Sequence, residues 1–248
     1  MQKGAIKLPQ KNFGTPEGRR KGGLASLITH QRKKDGFVLL KKITIPQKSE
    51  KLAEFLGIMI GDGHLTDYQL SVTTNSETDM EHARFTAKII KDLFDIEAKI
   101  QNRQFEKAVV IVASSKSAVD FIHSLGMPIG DKIKNHVAMP DWIIANNKYQ
   151  KAFLRGMFDT DGSIFLDRHL INNNEYYNIG WTITAYADKL RADICQSLWQ
   201  LGFSPNCTFP QLSVFLRRHN DIERFFSEIG SHNEKHIARY QKFLAQCK

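Results

Sequence analysis

An internal duplication constrains this chain more than any other feature. Phe55-Leu56-Gly57-Ile58-Met59-Ile60-Gly61-Asp62-Gly63 recurs 99 residues later as Leu154-Arg155-Gly156-Met157-Phe158-Asp159-Thr160-Asp161-Gly162. Both copies lead into the same order of patterns. After the first come a polar and apolar alternation from Gln69 to Asn75, a helical stretch from about Asp79 to Phe94, and strand-like runs at Lys99 to Arg103 and Ala108 to Ser114. A helix from about Ser117 to Leu125 then ends at Gly126. After the second, the alternation runs Asn178 to Thr184, the helix about Asp188 to Leu201, and the strands near Asn206 to Phe209 and Leu212 to Arg217. A final helix reaches Ile229 before Gly230. Period two predicts strand and period 3.6 predicts helix, so each copy reads as αββαββα, an α+β unit used twice.

The repeated segments predict helices over Leu52 to Asp62 and about Tyr149 to Asp161, without interior proline; Gly63 and Gly162 suit a left-handed cap position. Gly57, Gly61, Gly156 and Thr160 are small enough to let two helices approach closely. Each helix ends on an aspartate, whose charge faces the negative end of the helix macrodipole at a cost of about 0.3 to 1 kcal/mol. Two such carboxylates, brought together by helix pairing, also repel. A divalent cation with oxygen ligands between Asp62 and Asp161 answers both penalties.

Charge is distributed as unevenly as the motif is repeated. The 248 residues carry a net +9, yet Met1 to Lys51 holds 13 Lys and Arg against three acids, a net of +10, and the remainder sums to −1. A basic arm on a neutral body is the pattern of a polyanion-binding extension. Arg19, Arg20, Lys21, Arg32, Lys33 and Lys34, interleaved with Gly and a short apolar stretch from Leu24 to Ile28, are its candidate phosphate contacts. The glycines there do not form a Walker loop, since Gly18 is followed by Arg19 and Gly23 by Leu24. With 42% hydrophobic and 25% charged residues, the chain has the make-up of a globular protein.

Cys195, Cys207 and Cys247 show no CxxC spacing and leave one thiol over in any disulfide scheme, which predicts a reducing, intracellular setting. No apolar run reaches the ~20 residues of a bilayer span, and the basic start lacks the apolar core of a signal peptide, so neither secretion nor membrane insertion is expected. His232 and His236 are four apart but lack the glutamate of a zinc-protease helix. In the strands, Gln69, Ser71, Thr73 and Asn75 should leave the core together, as should Asn178, Thr182 and Thr184. Lys99, Gln101 and Arg103 form a third row, and Ser213 and Arg217 a weaker fourth.

FLGIMIGDG and LRGMFDTDG resemble the two motifs of the single-chain LAGLIDADG homing endonuclease family, and the duplication extends the likeness over about residues 50 to 245. The resemblance implies two saddle-shaped antiparallel sheets, one per repeat, lying along DNA, with the motif helices at the interface between them. With the charge count, which sets a basic DNA-contacting arm over residues 1–50, it implies repeats over 51–147 and 148–248. Asp62 and Asp161 then map onto metal-binding aspartates, with the Gly61 and Thr160 carbonyls as further ligands. Mg²⁺ is the expected ion, with Mn²⁺ substituting and Ca²⁺ supporting binding without cleavage. Lys132 and Lys235, 70 and 74 residues after those aspartates, resemble the family's basic residues near the scissile phosphates. The polar strand rows become base-reading surfaces and the arm a phosphate contact.

Ile60 departs from the motif, for the family name has an acid there and the second copy keeps Asp159. The expected activity is metal-dependent cleavage of double-stranded DNA by a monomer, at a long asymmetric site, inside the cell or an organelle that holds its host DNA. Chain ends without splicing blocks point to an intron-encoded enzyme. The alternatives on the same scaffold are a maturase that binds its own intron RNA and a catalytically silent DNA-binding regulator.

Overall fold

A computed structural model describes residues 15–33, 43–171, 174–207 and 211–246. The chain forms two compact units, residues 1–40 and 41–248. In the first, α1 (Pro16–Lys33) is a helix whose described side chains are all exposed, including Leu24 and Ile28. Residues 16–33 of the arm are therefore helical where the sequence suggested only an extension, and their described apolar side chains do not define a buried face.

The second unit opens with α2 (Glu50–Gly61), started by Ser49, whose hydroxyl accepts the Leu52 N–H at 3.2 Å. There follow β1 (Gly63–Leu65), β2 (Gln69–Asn75), α3 (Met80–Phe94), β3 (Lys99–Asn102), β4 (Ala108–Ser114) and α4 (Lys116–Ser124). A one-turn helix, α5 (Asp141–Ile144), leads to α6 (Asn147–Asp161), capped by the Asn146 side chain on the Lys148 and Tyr149 N–H groups. The second repeat continues with β5 (Gly162–Ile171), β6 (Asn174–Thr184), α7 (Asp188–Gln200), β7 (Ser213–Leu216), α8 (His219–Glu228) and α9 (Glu234–Gln246). The result is a mixed α+β duplication with two antiparallel sheets, ordered β1-β2-β4-β3 and β5-β6-β7. Where the second repeat was expected to have a strand over Asn206 to Phe209, there is a bridge from Asn206 to Phe215, and residues 208–210 lie outside the described ones.

The motif helices α2 and α6 pack on each other at the centre, because small residues let their backbones touch. A Cβ at Gly57 would collide with the Phe153 carbonyl, and one at Gly156 with that of Glu54. Gly63 and Gly162 correct the sequence reading. Gly162 is extended (φ −90°, ψ 161°), and neither residue has a positive φ. They are glycines because β1 and β5 leave the helices so tightly that a Cβ would strike the Met59 and Phe158 backbones. Around this pair the core closes with Phe55 and Phe94 in the first repeat and with Phe158, Trp181 and Phe225 in the second.

Cys195 and Cys207 form a disulfide, a pairing that the expected reducing setting disfavours; Cys247 lies outside the described residues. The two cysteines meet because the segment before β7 returns onto α7, which spacing in sequence cannot show. No helix among the described residues is long and apolar enough to cross a membrane.

Candidate nucleic-acid interface and acid centre

Helix pairing delivers both motif aspartates to one place. Gly61 abuts Thr160, and a Cβ on Gly61 would stand 3.3 Å from Asp161 Oδ2. Lys132 reaches in from the loop before α5, donating from Nζ to the Ile60 carbonyl at 2.8 Å and to the Gly61 carbonyl. These carbonyls end α2 and carry the negative pole of its dipole, so an ammonium is favoured there. Burial pushes the Asp62 pKa up to about 6, against the pull of Lys132 and Lys235 and with a further push from Asp79. Burial also pushes Asp161 up to about 7, with the Asp62 charge adding and Lys132 opposing. The Lys132 pKa is lowered by burial, which the attraction of Asp161 and Asp62 only partly offsets. Two half-buried carboxylates facing one ammonium make a pair short of positive charge, a donor set that fits a hard dication.

Lys235 sits differently. Its Nζ donates to Asp79 Oδ2 at 3.0 Å, joining the two repeats beside Asp62. Asp79 occupies the N-cap position of α3 but makes no cap bond; its carboxylate instead accepts from Lys235 and from the Thr74 and Thr78 hydroxyls, each at 3.0 Å. Burial alone would raise its pKa, but the bond from Lys235 holds it low. The sequence reading missed Asp79, since an aspartate opening a helix looks like a cap.

A second polar group crosses the same helix pair. Arg155 donates to Glu54 at 3.0 Å (Nε) and 2.7 Å (Nη2) and to the Ile229 carbonyl at 2.9 Å. Glu54 Oε1 also meets His232 Nδ1 at 2.5 Å. Asp159 accepts from the Ser231 hydroxyl at 2.5 Å and from the His232 N–H at 2.9 Å. Burial would raise Glu54, yet His232 and Arg155 hold it below its usual value, while burial takes Asp159 to about 7. At the 99-residue offset the counterparts of Glu54, Arg155 and Asp159 are Phe153, Leu56 and Ile60, all buried and apolar. The Ile60 departure thus belongs to a lopsided interface: one side of the helix pair carries a polar network shared by Glu54 of the first repeat and Arg155 and Asp159 of the second, and the equivalent positions on the other side are core.

The strand rows have a common face in each sheet. Register puts Ser71 and Lys99 on either side of Val112, and Thr73 and Gln101 on either side of Val110. This side of β2 is exposed at Gln69 and half-buried at Ser71 and Thr73, whereas Leu70 and Val72 are buried. All four residues of β3 are exposed. Asn75 departs from the expected row, because its Oδ1 accepts the Glu77 and Thr78 N–H groups and closes a turn. Arg103 falls beyond β3 and pairs with Glu106. In the second sheet Asn178 is exposed, Thr184 and Ser213 share a 2.8 Å hydroxyl contact, and Arg217 lies over the Phe165 and Phe215 rings. Thr182 departs: its hydroxyl is covered and has no partner among the described residues. In the arm, Arg19, Arg20 and Lys21 are exposed on α1; the Arg32 and Lys33 side chains and all of Lys34 lie outside what is described.

The fold and these residues have relatives. Residues 52–128 and 150–246 match the family described as the WhiA LAGLIDADG-like domain. Among curated proteins, the chain is 37% identical over 208 residues to the replication factor C small subunit of Methanocaldococcus jannaschii, covering 79% of this chain and 10% of that one. It is 35% identical over 123 residues to an A-type ATP synthase subunit of Pyrococcus abyssi, covering 49% of this chain and 12% of that one. The chain thus spans about a tenth of the length of these two relatives. Among solved structures, the I-LtrWI LAGLIDADG homing endonuclease bound to target DNA aligns with a TM-score of 0.54 at 12% identity, over 79% of this chain and 90% of that one. Full-length DUF199/WhiA from Thermatoga maritima aligns with a TM-score of 0.51 at 17% identity, over 83% and 63%. At such identities the structures speak for the fold alone. Two motif helices packed through glycine, two antiparallel sheets and the matched residues in both repeats make the chain a member of the WhiA LAGLIDADG-like domain family.

Proposed function

We propose that the protein binds duplex DNA at a long asymmetric site and hydrolyses a phosphodiester in each strand there. The observation that carries the reading is the retention of Asp62 and Asp161 side by side at the ends of α2 and α6, with Lys132 against them. Pure binding has no use for two half-buried carboxylates that repel each other; metal-assisted hydrolysis does. Asp62 and Asp161, with the Gly61 and Thr160 carbonyls, would hold the cation, of which Mg²⁺ and Mn²⁺ are the expected forms. When bound, such an ion lowers the pKa of water and stabilises charge on the scissile phosphate. Lys132 offsets the acid pair, and Lys235, held by Asp79, adds positive charge beside Asp62. The polar faces of the sheets read base edges, α1 takes phosphates, and the unequal repeats read unequal half-sites. Relatives of unlike name, each matched over a small share of its length, support a module carried within longer chains.

A second reading is DNA binding without cleavage, as a regulator. The WhiA-like family match favours it, and so does Lys132, whose ammonium already occupies the Ile60 and Gly61 carbonyls. Selection from a randomised duplex library, followed by incubation with Mg²⁺ and separately Ca²⁺, separates the two. Cutting of the selected site with Mg²⁺, lost in Asp62→Asn with binding kept, is the outcome expected here. Tight, specific binding with intact strands under Mg²⁺ and Mn²⁺ would establish the regulator, and preference for RNA would refute both.

A further inference from the structure

Glu54 lies about 12 Å along α2 from Asp62 at 1.5 Å per residue, and Asp159, two residues before Asp161 on α6, directs its carboxylate to Ser231 and His232. One ligand-capable atom from each of the three residues lies within 4.8 Å of the others. Glu54 and Asp159 are buried, while the half-exposed His232 lines a cavity of about 330 Å³ with Glu54, Arg155, Phe85 and Lys88. We propose that Glu54, Asp159 and His232 form a transition-metal site, for Zn²⁺ or a similar dication, that clamps the two repeats together.

Three features support a built site. One imidazole nitrogen with two carboxylates is a donor set that suits Zn²⁺ and its first-row neighbours better than Mg²⁺, which takes oxygens and keeps its waters. Each ligand is also oriented by an outer partner: Glu54 by Arg155, Asp159 by the Ser231 hydroxyl, and the His232 ring by Phe85, 4.3 Å away between centroids. Finally, the counterparts of Glu54 and Asp159 across the duplication, Phe153 and Ile60, are buried and apolar, so the donor set occurs on one side of the helix pair only. Glu54 comes from the first repeat and Asp159 and His232 from the second, so an ion here joins them. On binding, the His232 ring takes the tautomer with its hydrogen on Nε2, so that Nδ1 offers its lone pair to the ion in place of its contact with Glu54.

The site stands whether or not Asp62 and Asp161 cut DNA, and its test does not use activity. The full chain, in excess Mg²⁺ to occupy the motif acids, is titrated with Co²⁺, followed by its visible absorption. One Co²⁺ per chain is expected, displaced by Zn²⁺, kept in Asp62→Asn and Asp161→Asn, and weakened at least ~10-fold in His232→Gln, the loss typical when a metal site is disturbed. The half-exposed His232 makes that variant safe for the fold, and circular dichroism checks it; Ser231→Ala, which only frees Asp159, should weaken Co²⁺ more mildly. Equal affinity in His232→Gln, loss in Asp161→Asn, or no Co²⁺ bound at millimolar concentration each overturns the site.

Discussion

Replacing Asp161 with asparagine should stabilise the metal-free protein while removing its proposed chemistry. In the folded state the carboxyl titrates at about 7 rather than 3.8, because it is buried beside Asp62. Raising a carboxyl from 3.8 to about 7 corresponds to a cost of about 4 kcal/mol for keeping it ionised at pH 8. The folded value exceeds the unfolded one, so the stability this group contributes is whole below about pH 4 and is lost as pH rises through about 7. Asparagine has nearly the same shape and no charge, so the mutant escapes that loss. Allowing half of the cost for relaxation, the gain at pH 8 is about 2 kcal/mol, or ~4 to 8 °C in Tm for a chain of this size. It should shrink steadily to nothing by about pH 4. Comparing mutant with parent at each pH cancels the opposite trend of buried His82 and His236, held down to about 4 and about 3 by burial, which favours folding as pH rises. The assay is guanidinium denaturation from pH 4 to 8 with EDTA, repeated with Mg²⁺, which should stabilise the parent alone. A mutant less stable than its parent at pH 8, or a gain independent of pH, would refute the electrostatic account of this site.

Other perturbations test other parts of the argument. Arg155→Met leaves Glu54 buried without its cation and should cost about 3 to 5 kcal/mol in a denaturation midpoint; Glu54→Gln in the same chain should recover most of it. No recovery would mean the arginine matters for packing alone. Gly57→Val drives a side chain into the Phe153 and Gly156 backbones and should exceed the usual overpacking loss of about 1 to 3 kcal/mol; an unchanged midpoint would show that the helices can separate freely. Deleting residues 1–40, which carry nine Lys and Arg, should weaken DNA binding and flatten its salt dependence by roughly 0.9 for each phosphate no longer neutralised, whereas an identical slope would make the arm a bystander.

What could be read from the sequence was what depends on neighbours along the chain. The 99-residue repeat set two like α+β units, the first with the expected αββαββα order, period-two alternation placed Leu70, Val72 and Trp181 inward, and paired small residues announced the contact of α2 with α6. The identity of the acid pair was legible for the same reason, since an aspartate ending two copies of one helix is a pattern in the letters. Three-dimensional structure decided what depends on residues distant in sequence. Lys132 reaches carbonyls more than 70 positions away, Asp79 holds Lys235 across 156 positions, and His232 meets Glu54 across 178. The Cys195–Cys207 disulfide and the helical, unburied arm likewise left no signal in spacing. Gly63 and Gly162 mark the boundary between the two kinds of knowledge: the sequence shows that glycine stands there, but only packing shows that the cause is a Cβ with nowhere to go. Local periodicity reports which face of an element is apolar, whereas partners for buried charges are chosen when those faces meet, and that choice follows from the fold as a whole.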